Sequence, residues 1–110
     1  MPYDEKLAER LRTLLAKERN VTEKKMFGGI GFIVRGNMCV SASGKGGILV
    51  RIDPEESDAA IARPHATLME MGGRKMAGWI RVDAAGLKSE RELESWVRRA
   101  LEYVKTLPAK

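Results

Sequence analysis

The sequence predicts a two-layer α+β domain, with helices packed on one face of a mostly antiparallel, five-stranded sheet. Apolar residues recur with helical spacing near both ends of the chain. Between them, short apolar runs alternate with period two and are separated by glycine-rich turns. Because these turns are too short for a parallel crossover, neighbouring strands are expected to be antiparallel. The predicted element order is α-β-β-β-β-α-β-α.

The first half of the chain is predicted to be one helix followed by a four-stranded β-meander. The helix covers residues 4–17, where leucines at i, i+4, i+7 and i+8 form one apolar stripe. The predicted strands are Val21–Phe27, Ile30–Arg35, Met38–Ala42 and Ile48–Ile52, separated by Gly28-Gly29, Gly36-Asn37 and Ser43–Gly47. Glycine and asparagine tolerate the positive φ that tight hairpin turns require.

The second half is predicted to contain two more helices and the fifth strand. Its elements are a short helix from Asp53-Pro54 to Arg63-Pro64, an irregular segment 65–75 ending in a Gly72-Gly73 turn, a strand Met76–Val82 and a helix after Ser89–Glu92. Proline suits the first position of a helix and disfavours a helical residue before it. Ser89 and Glu92 have the spacing of a capping box, which predicts the start of the last helix.

Size and composition indicate one soluble domain over residues 1–110. Cys39 is the only cysteine, which excludes an internal disulfide and favours a reducing cytoplasm. No apolar run is long enough to span a membrane, and the charged N-terminus has no pattern of an export signal. The net charge is +5, and residues 21–52 hold five basic side chains against Glu23 alone. This local excess favours an anionic partner.

Strand alternation predicts a second, outward sheet face that is both apolar and basic. The helix-covered face is expected to take Met38 with Val40 and Ala42, and the outward face to take Cys39 with Ser41. The outward face also receives Ile33 and Arg35, Leu49 and Arg51, and Trp79 and Arg81. In each of these three pairs, a large apolar residue stands two positions before an arginine. Large apolar side chains together with arginine are typical of protein interfaces.

Three interpretations of this outward face stay open. The favoured one is a homodimer or protein-partner interface formed by Ile33, Arg35, Leu49, Arg51, Trp79 and Arg81. The second is that segment 65–75 and the chain ends cover these side chains. The third is a nucleic-acid surface that uses Lys24, Lys25, Arg35, Arg51 and Arg81.

The sequence contains no recognisable catalytic, cofactor or metal site. The glycines at 28–31 open a strand and are followed by no lysine, so they do not form a phosphate-binding loop. His65 and Cys39 are the only histidine and cysteine, too few for a zinc site without several carboxylates. A Cys39–His65 dyad remains an alternative, and it predicts that the fold brings these two residues into one enclosed pocket.

Several segments in order resemble the TfoX/Sxy amino-terminal domain family. They are Tyr3–Leu7, Thr22–Gly29, Gly36–Met38, Leu49–Arg51, Ala62–His65, Met76-x-Gly78-Trp79, Trp96-Val97 and Leu107-Pro108. The resemblance implies a two-layer α+β fold with an antiparallel sheet and no catalytic residues. Full-length relatives are regulators of competence genes that work with the cAMP receptor protein at promoters, and they have a second, carboxy-terminal helical domain. Since the chain ends at Lys110 without that domain, we expect a stand-alone member.

Three functional hypotheses follow. The first is a non-enzymatic, cytoplasmic regulatory or interaction module, dimeric, that acts in transcription through a protein partner. The second is direct binding of nucleic acid. The third is a small-ligand binder or enzyme that uses Cys39, His65 or the glycine turns.

Overall fold

The computed structural model describes residues 4–26, 28–44 and 46–108, which fold into three helices and six strands. The helices are α1 (Glu5–Leu15), α2 (Ser57–Ile61) and α3 (Glu90–Val104). The strands are β1 (Val21–Met26), β2 (Gly29–Val34), β3 (Asn37–Ala42), β4 (Ile48–Arg51), β5 (Ala66–Met71) and β6 (Arg74–Val82). Phe27, predicted as the end of the first strand, and Lys45, in a predicted turn, lie outside the described residues.

The strands form one antiparallel sheet in the order β1-β2-β3-β4-β6-β5. The α+β class and the opening four-stranded meander are confirmed. The strand count was wrong, because β5 occupies a segment predicted to be irregular. The register between β5 and β6 shifts after Leu68, where β6 contains three extra residues, 77–79. Gly72 and Gly73, at φ 61° and 81°, form the predicted turn between the two strands.

Side-chain caps begin the helices close to the predicted positions. Asp4 accepts hydrogen bonds from the backbone N–H groups of Lys6 and Leu7 at 2.9 and 3.2 Å, and Ser89 accepts one from Glu92 at 3.1 Å. Asp53 caps a 3-10 turn at Pro54–Glu56, so α2 begins three residues later than the proline alone predicts.

The core lies between the helices and one face of the sheet, which we call the covered face. Its large, fully buried side chains come from both layers: Leu11, Leu93 and Trp96 from the helices, and Phe32, Val34, Val40, Ile48, Val50, Ile80 and Val82 from the strands. At one side of the core, an ion pair between Arg12 and Glu23 joins α1 to the edge strand β1. At the other side, the guanidinium of Arg63 lies 3.9 Å from the ring centroid of Trp96 and joins the segment after α2 to α3.

A β-bulge reverses two predicted side-chain orientations. Phe32 pairs with Val40 and Ile33 pairs with Met38, so Cys39 is an extra residue in β3. Directly opposite residues share a face, which places Met38 beside Ile33 on the side away from the helices. Cys39 is fully buried in the core. The predictions that Met38 lies on the covered face and Cys39 on the outward face were therefore wrong.

Candidate functional site

The outer face, the side of the sheet opposite the covered face, is the candidate site. Its positions follow from the strand register. One row across the sheet runs Lys24, Gly31, Ser41, Leu49, Arg81 and Thr67, and a second contains Thr22, Ile33 and Met38. Arg51 pairs with Trp79 next to these rows. Segment 65–75, considered in sequence as a cover for this face, instead forms the edge strand β5 and its turn into β6.

Six side chains form what we call the outer-face cluster. They are Ile33, Met38, Leu49, Arg51, Trp79 and Arg81, all half-buried. Their neighbours in the strands, such as Phe32, Val50 and Ile80, are at most 1% exposed. This contrast between adjacent residues shows that the described helices cover one face of the sheet and leave the other partly open to water.

Arg51 is held between two aromatic rings. Its guanidinium carbon lies 5.2 Å from the ring centroid of Trp79 and 5.9 Å from that of Tyr103. Cation–π contacts of this length orient a guanidinium and leave its N–H groups able to bind an anion. The contact between Arg51 and Tyr103 could not be predicted from the strand pattern, because Tyr103 lies in α3, in the helical layer.

The outer-face cluster is basic and has no internal counter-ion. Arg51 and Arg81 make no ion pair with any residue in the described ranges, whereas Arg10, Arg12, Arg98, Arg99 and Lys105 all do. The rows of paired outward residues from β1 to β5 contain no carboxylate. A ligand for this face is therefore expected to supply negative charge as well as apolar surface.

Arg35 does not lie in the outer-face cluster, contrary to the strand boundary predicted for it. Arg35 and Gly36, at φ 54° and 83°, form the turn between β2 and β3. The turn lies one residue earlier than predicted because Asn37 belongs to β3, where its side-chain amide donates a hydrogen bond of 2.9 Å to the carbonyl oxygen of Pro108. Arg35 is exposed at the end of the sheet.

Lys24 and Lys25 are both exposed on β1, at one edge of the sheet. They point to opposite sides, because Lys24 pairs with Gly31 on the outer face and Lys25 pairs with Ile30 on the covered face. Of the five predicted nucleic-acid contacts, the structure thus places Lys24, Arg51 and Arg81 on one face. Lys25 and Arg35 lie elsewhere.

The structure does not bring Cys39 and His65 together. Cys39 lies in β3 and His65 immediately precedes β5, three strands further along the sheet, a separation of about 14 Å at the usual strand spacing. Burial raises the pKa of the Cys39 thiol to about 12, with the charge of Glu18 as a smaller cause. A thiol held protonated in this way is a poor nucleophile at neutral pH.

Hollows lie beside β5 and beside α3. A cleft of about 720 Å³ runs beside β5 and is lined in part by Ile61, Leu68 and Arg81. A smaller one, of about 160 Å³, lies between the Pro54–Glu56 turn and α3, where Arg99 pairs with Glu56. Within the described residues, no three or more histidine, cysteine, aspartate or glutamate side chains lie close enough together to hold a metal ion.

Among the described helices, none has the length and apolar character needed to cross a membrane.

Comparison with known proteins agrees with the resemblance seen in the sequence. The model of the TfoX N-terminal domain matches residues 13–104, which include all six strands, α2, α3 and the whole outer-face cluster. A search of curated proteins found no significant match to the chain. The match covers most of the 110 residues, and the chain therefore belongs to the TfoX N-terminal domain family.

Proposed function

We propose that this protein is a non-enzymatic interaction module that takes part in transcription regulation by binding an acidic protein partner through the outer-face cluster. The observation that supports this most directly is the uncovered sheet face. Four large apolar side chains, Ile33, Met38, Leu49 and Trp79, lie half-buried there beside two arginines that make no ion pair with the residues the structure describes. Interfaces combine an apolar and aromatic centre with arginine in this way.

The absence of a catalytic role is part of the proposal. It is supported by the burial of the Cys39 thiol and by its distance from His65. The role in transcription is supported by membership of the TfoX N-terminal domain family. Full-length members of the family that the sequence resembles are regulators of competence genes.

Charge favours a different protein over a second copy of this chain on this face. A twofold contact would bring Lys24, Arg51 and Arg81 of both copies to one interface without the carboxylates needed to neutralise them. The homodimer expected from sequence therefore requires another surface or a bound anion. Light scattering that shows a dimer broken by Leu49→Glu would instead identify the second copy as the occupant.

A photo-cross-linking amino acid at position 49, in the native cell, would identify the partner, and binding of the purified partner would then be measured. We expect Leu49→Glu to weaken that binding by about tenfold or more. It removes an apolar contact at the centre of the cluster and gives Arg81, which lies opposite position 49, a carboxylate from its own chain in place of one from the partner. Ala59→Glu is the matched control, since Ala59 is exposed on α2, among the helices. Equal binding by both variants would remove the outer face from the proposal.

Nucleic acid is the second candidate, supported by Lys24, Arg51 and Arg81 on a face whose paired strand residues include no carboxylate. It is the weaker one because Trp79 is the only aromatic residue among the paired outward positions, and stacking surfaces for single strands use several. Binding of DNA or RNA at low salt that falls steeply as salt rises and is lost in Arg81→Gln would favour this candidate over a protein partner.

A further inference from the structure

Strand β5 leaves one side of its backbone unpaired. It is the last strand of the sheet and pairs only with β6. On its other side, the one backbone hydrogen bond among the described residues runs from the Ala66 N–H to the Arg63 carbonyl at 3.4 Å. An edge strand in this state presents a row of free N–H and C=O groups that another strand can pair with.

The two edges of the sheet differ in how they are protected. At the β1 edge, Glu23, Lys24 and Lys25 are consecutive exposed charged residues, a composition that discourages pairing with another strand. In β5, over residues 66–71, Glu70 is the only charged residue. The β5 edge is therefore the one better suited to accept an added strand.

A cleft of about 720 Å³ lies beside β5, lined by residues of β5, by Ile61 and by two residues of β6. Its wall includes Ile61 of α2, a large apolar side chain that is 36% exposed, and the half-buried Leu68. A peptide added to a sheet edge places alternate side chains into pockets beside that edge. The open backbone and the apolar cleft are independent observations that point to the same kind of ligand.

We propose that the β5 edge binds an extended segment of a partner protein by strand addition, with an apolar side chain of that segment in the cleft against Ile61 and Leu68. Lys75 and Arg81 also line the cleft, against the single carboxylate of Glu70, so the segment has acidic residues beside its apolar ones. A second copy of this chain fits less well, because it would add another Lys75 and Arg81 to the same place. This site is separate from the outer-face cluster except for Arg81.

Proline at position 70 tests the backbone part of the proposal. Met71 and Arg74 flank a two-residue turn, so the adjacent pair of Glu70 and Lys75 directs its amide groups away from each other. Glu70→Pro thus removes an N–H at the free edge and spares the bonds to β6. Glu70→Ala is the matched control, since it removes the same carboxylate and retains the N–H.

The probes are peptides selected from a displayed library of random heptapeptides on the immobilised full chain. We expect selected peptides to alternate apolar and polar residues, to include acidic ones, and to bind Glu70→Pro about tenfold or more weakly than Glu70→Ala. A circular dichroism melt of each variant shows whether it is folded. Ile61→Glu, at an exposed position, tests the cleft independently and should weaken the same peptides, whereas Ala59→Glu should change binding by less than about twofold.

Three results would overturn the proposal. The first is a library that yields no binder sensitive to position 70 or 61. The second is a set of binders that weaken with Leu49→Glu on the outer face and are unaffected by Glu70→Pro and Ile61→Glu. The third is a dimer in solution that Glu70→Pro dissociates, which would make a second copy the occupant of the edge. The first and third leave the outer-face function untouched, so the two proposals fail separately.

Discussion

The two faces of the sheet receive similar apolar residues but differ in what lies on them. Phe32 and Ile33 are neighbours in β2, yet Phe32 is 1% exposed under the helices and Ile33 is half-buried on the outer face. Burial against the helices accounts for the apolar residues of the covered face. It does not account for those of the outer-face cluster, which the described chain leaves partly in water. The difference separates residues that build the fold from residues available to a partner.

The largest expected effect compares these two neighbours directly. Phe32→Ala should lower the free energy of unfolding by about 3–5 kcal/mol, since it leaves a cavity in the core. Ile33→Ala should lower it by about 1 kcal/mol, because its side chain is already partly hydrated and water can fill the space. Urea denaturation of both variants measures the difference. A similar loss for Ile33→Ala would mean that the outer face is covered within the chain.

Thiol reactivity sharpens the comparison at the bulge in β3. The Cys39 thiol is fully buried, and burial raises its pKa to about 12, so it should react with a disulfide reagent only when the protein opens. Moving the thiol by one residue, in Met38→Cys combined with Cys39→Ala, should place it on the outer face. We expect the relocated thiol to react roughly 100-fold faster at pH 8.

The control is the rate of the same thiol reaction in denaturant. There the native chain and the Met38→Cys, Cys39→Ala variant should react alike, because unfolding leaves neither thiol protected. Equal rates for both folded proteins would show that the bulge does not separate residues 38 and 39 between the two faces.

Local signals made most of the fold predictable from sequence. The cap at Ser89 and the glycine turn at 72–73 each depend on a few adjacent residues, and each was identified. The errors came from features that depend on distant contacts. Asn37 enters β3 because its amide reaches the Pro108 carbonyl, and this moves the turn to Arg35. No neighbouring residue encodes that contact.

The candidate site was predictable to the extent that alternation held. Leu49, Arg51, Trp79 and Arg81 lie in strands without a bulge between them, and their shared face follows from period two alone. Met38 was missed because the extra residue at Cys39 shifts the alternation in β3. Tyr103 was missed because its contact with Arg51 crosses from the helical layer, which a strand pattern does not register.

The smallest expected effect concerns the ion pair at the rim of the covered face. The Arg12 guanidinium donates hydrogen bonds of 2.7 and 2.8 Å to the two carboxylate oxygens of Glu23. These bonds, and secondarily the positive charge, hold the pKa of Glu23 below its usual value. A carboxyl whose pKa is lowered by folding stabilises the protein above its unfolded pKa, and that contribution is lost as pH falls through the folded pKa.

Arg12→Gln should therefore raise the pKa of Glu23 toward its ordinary value and reduce stability at pH 7 by less than about 1 kcal/mol, with the loss vanishing at low pH. The effect is small because the two side chains are 36% and 38% exposed and water screens the pair. Carboxyl chemical shifts followed with pH measure the pKa, and Arg98→Gln, which removes the α3 pair with Glu94, should leave it unchanged. A Glu23 pKa that does not respond to Arg12→Gln would show that α1 does not close the covered face at β1. The contrast between the two faces would then weaken at that edge, because β1 would be as open on the helical side as it is on the outer face.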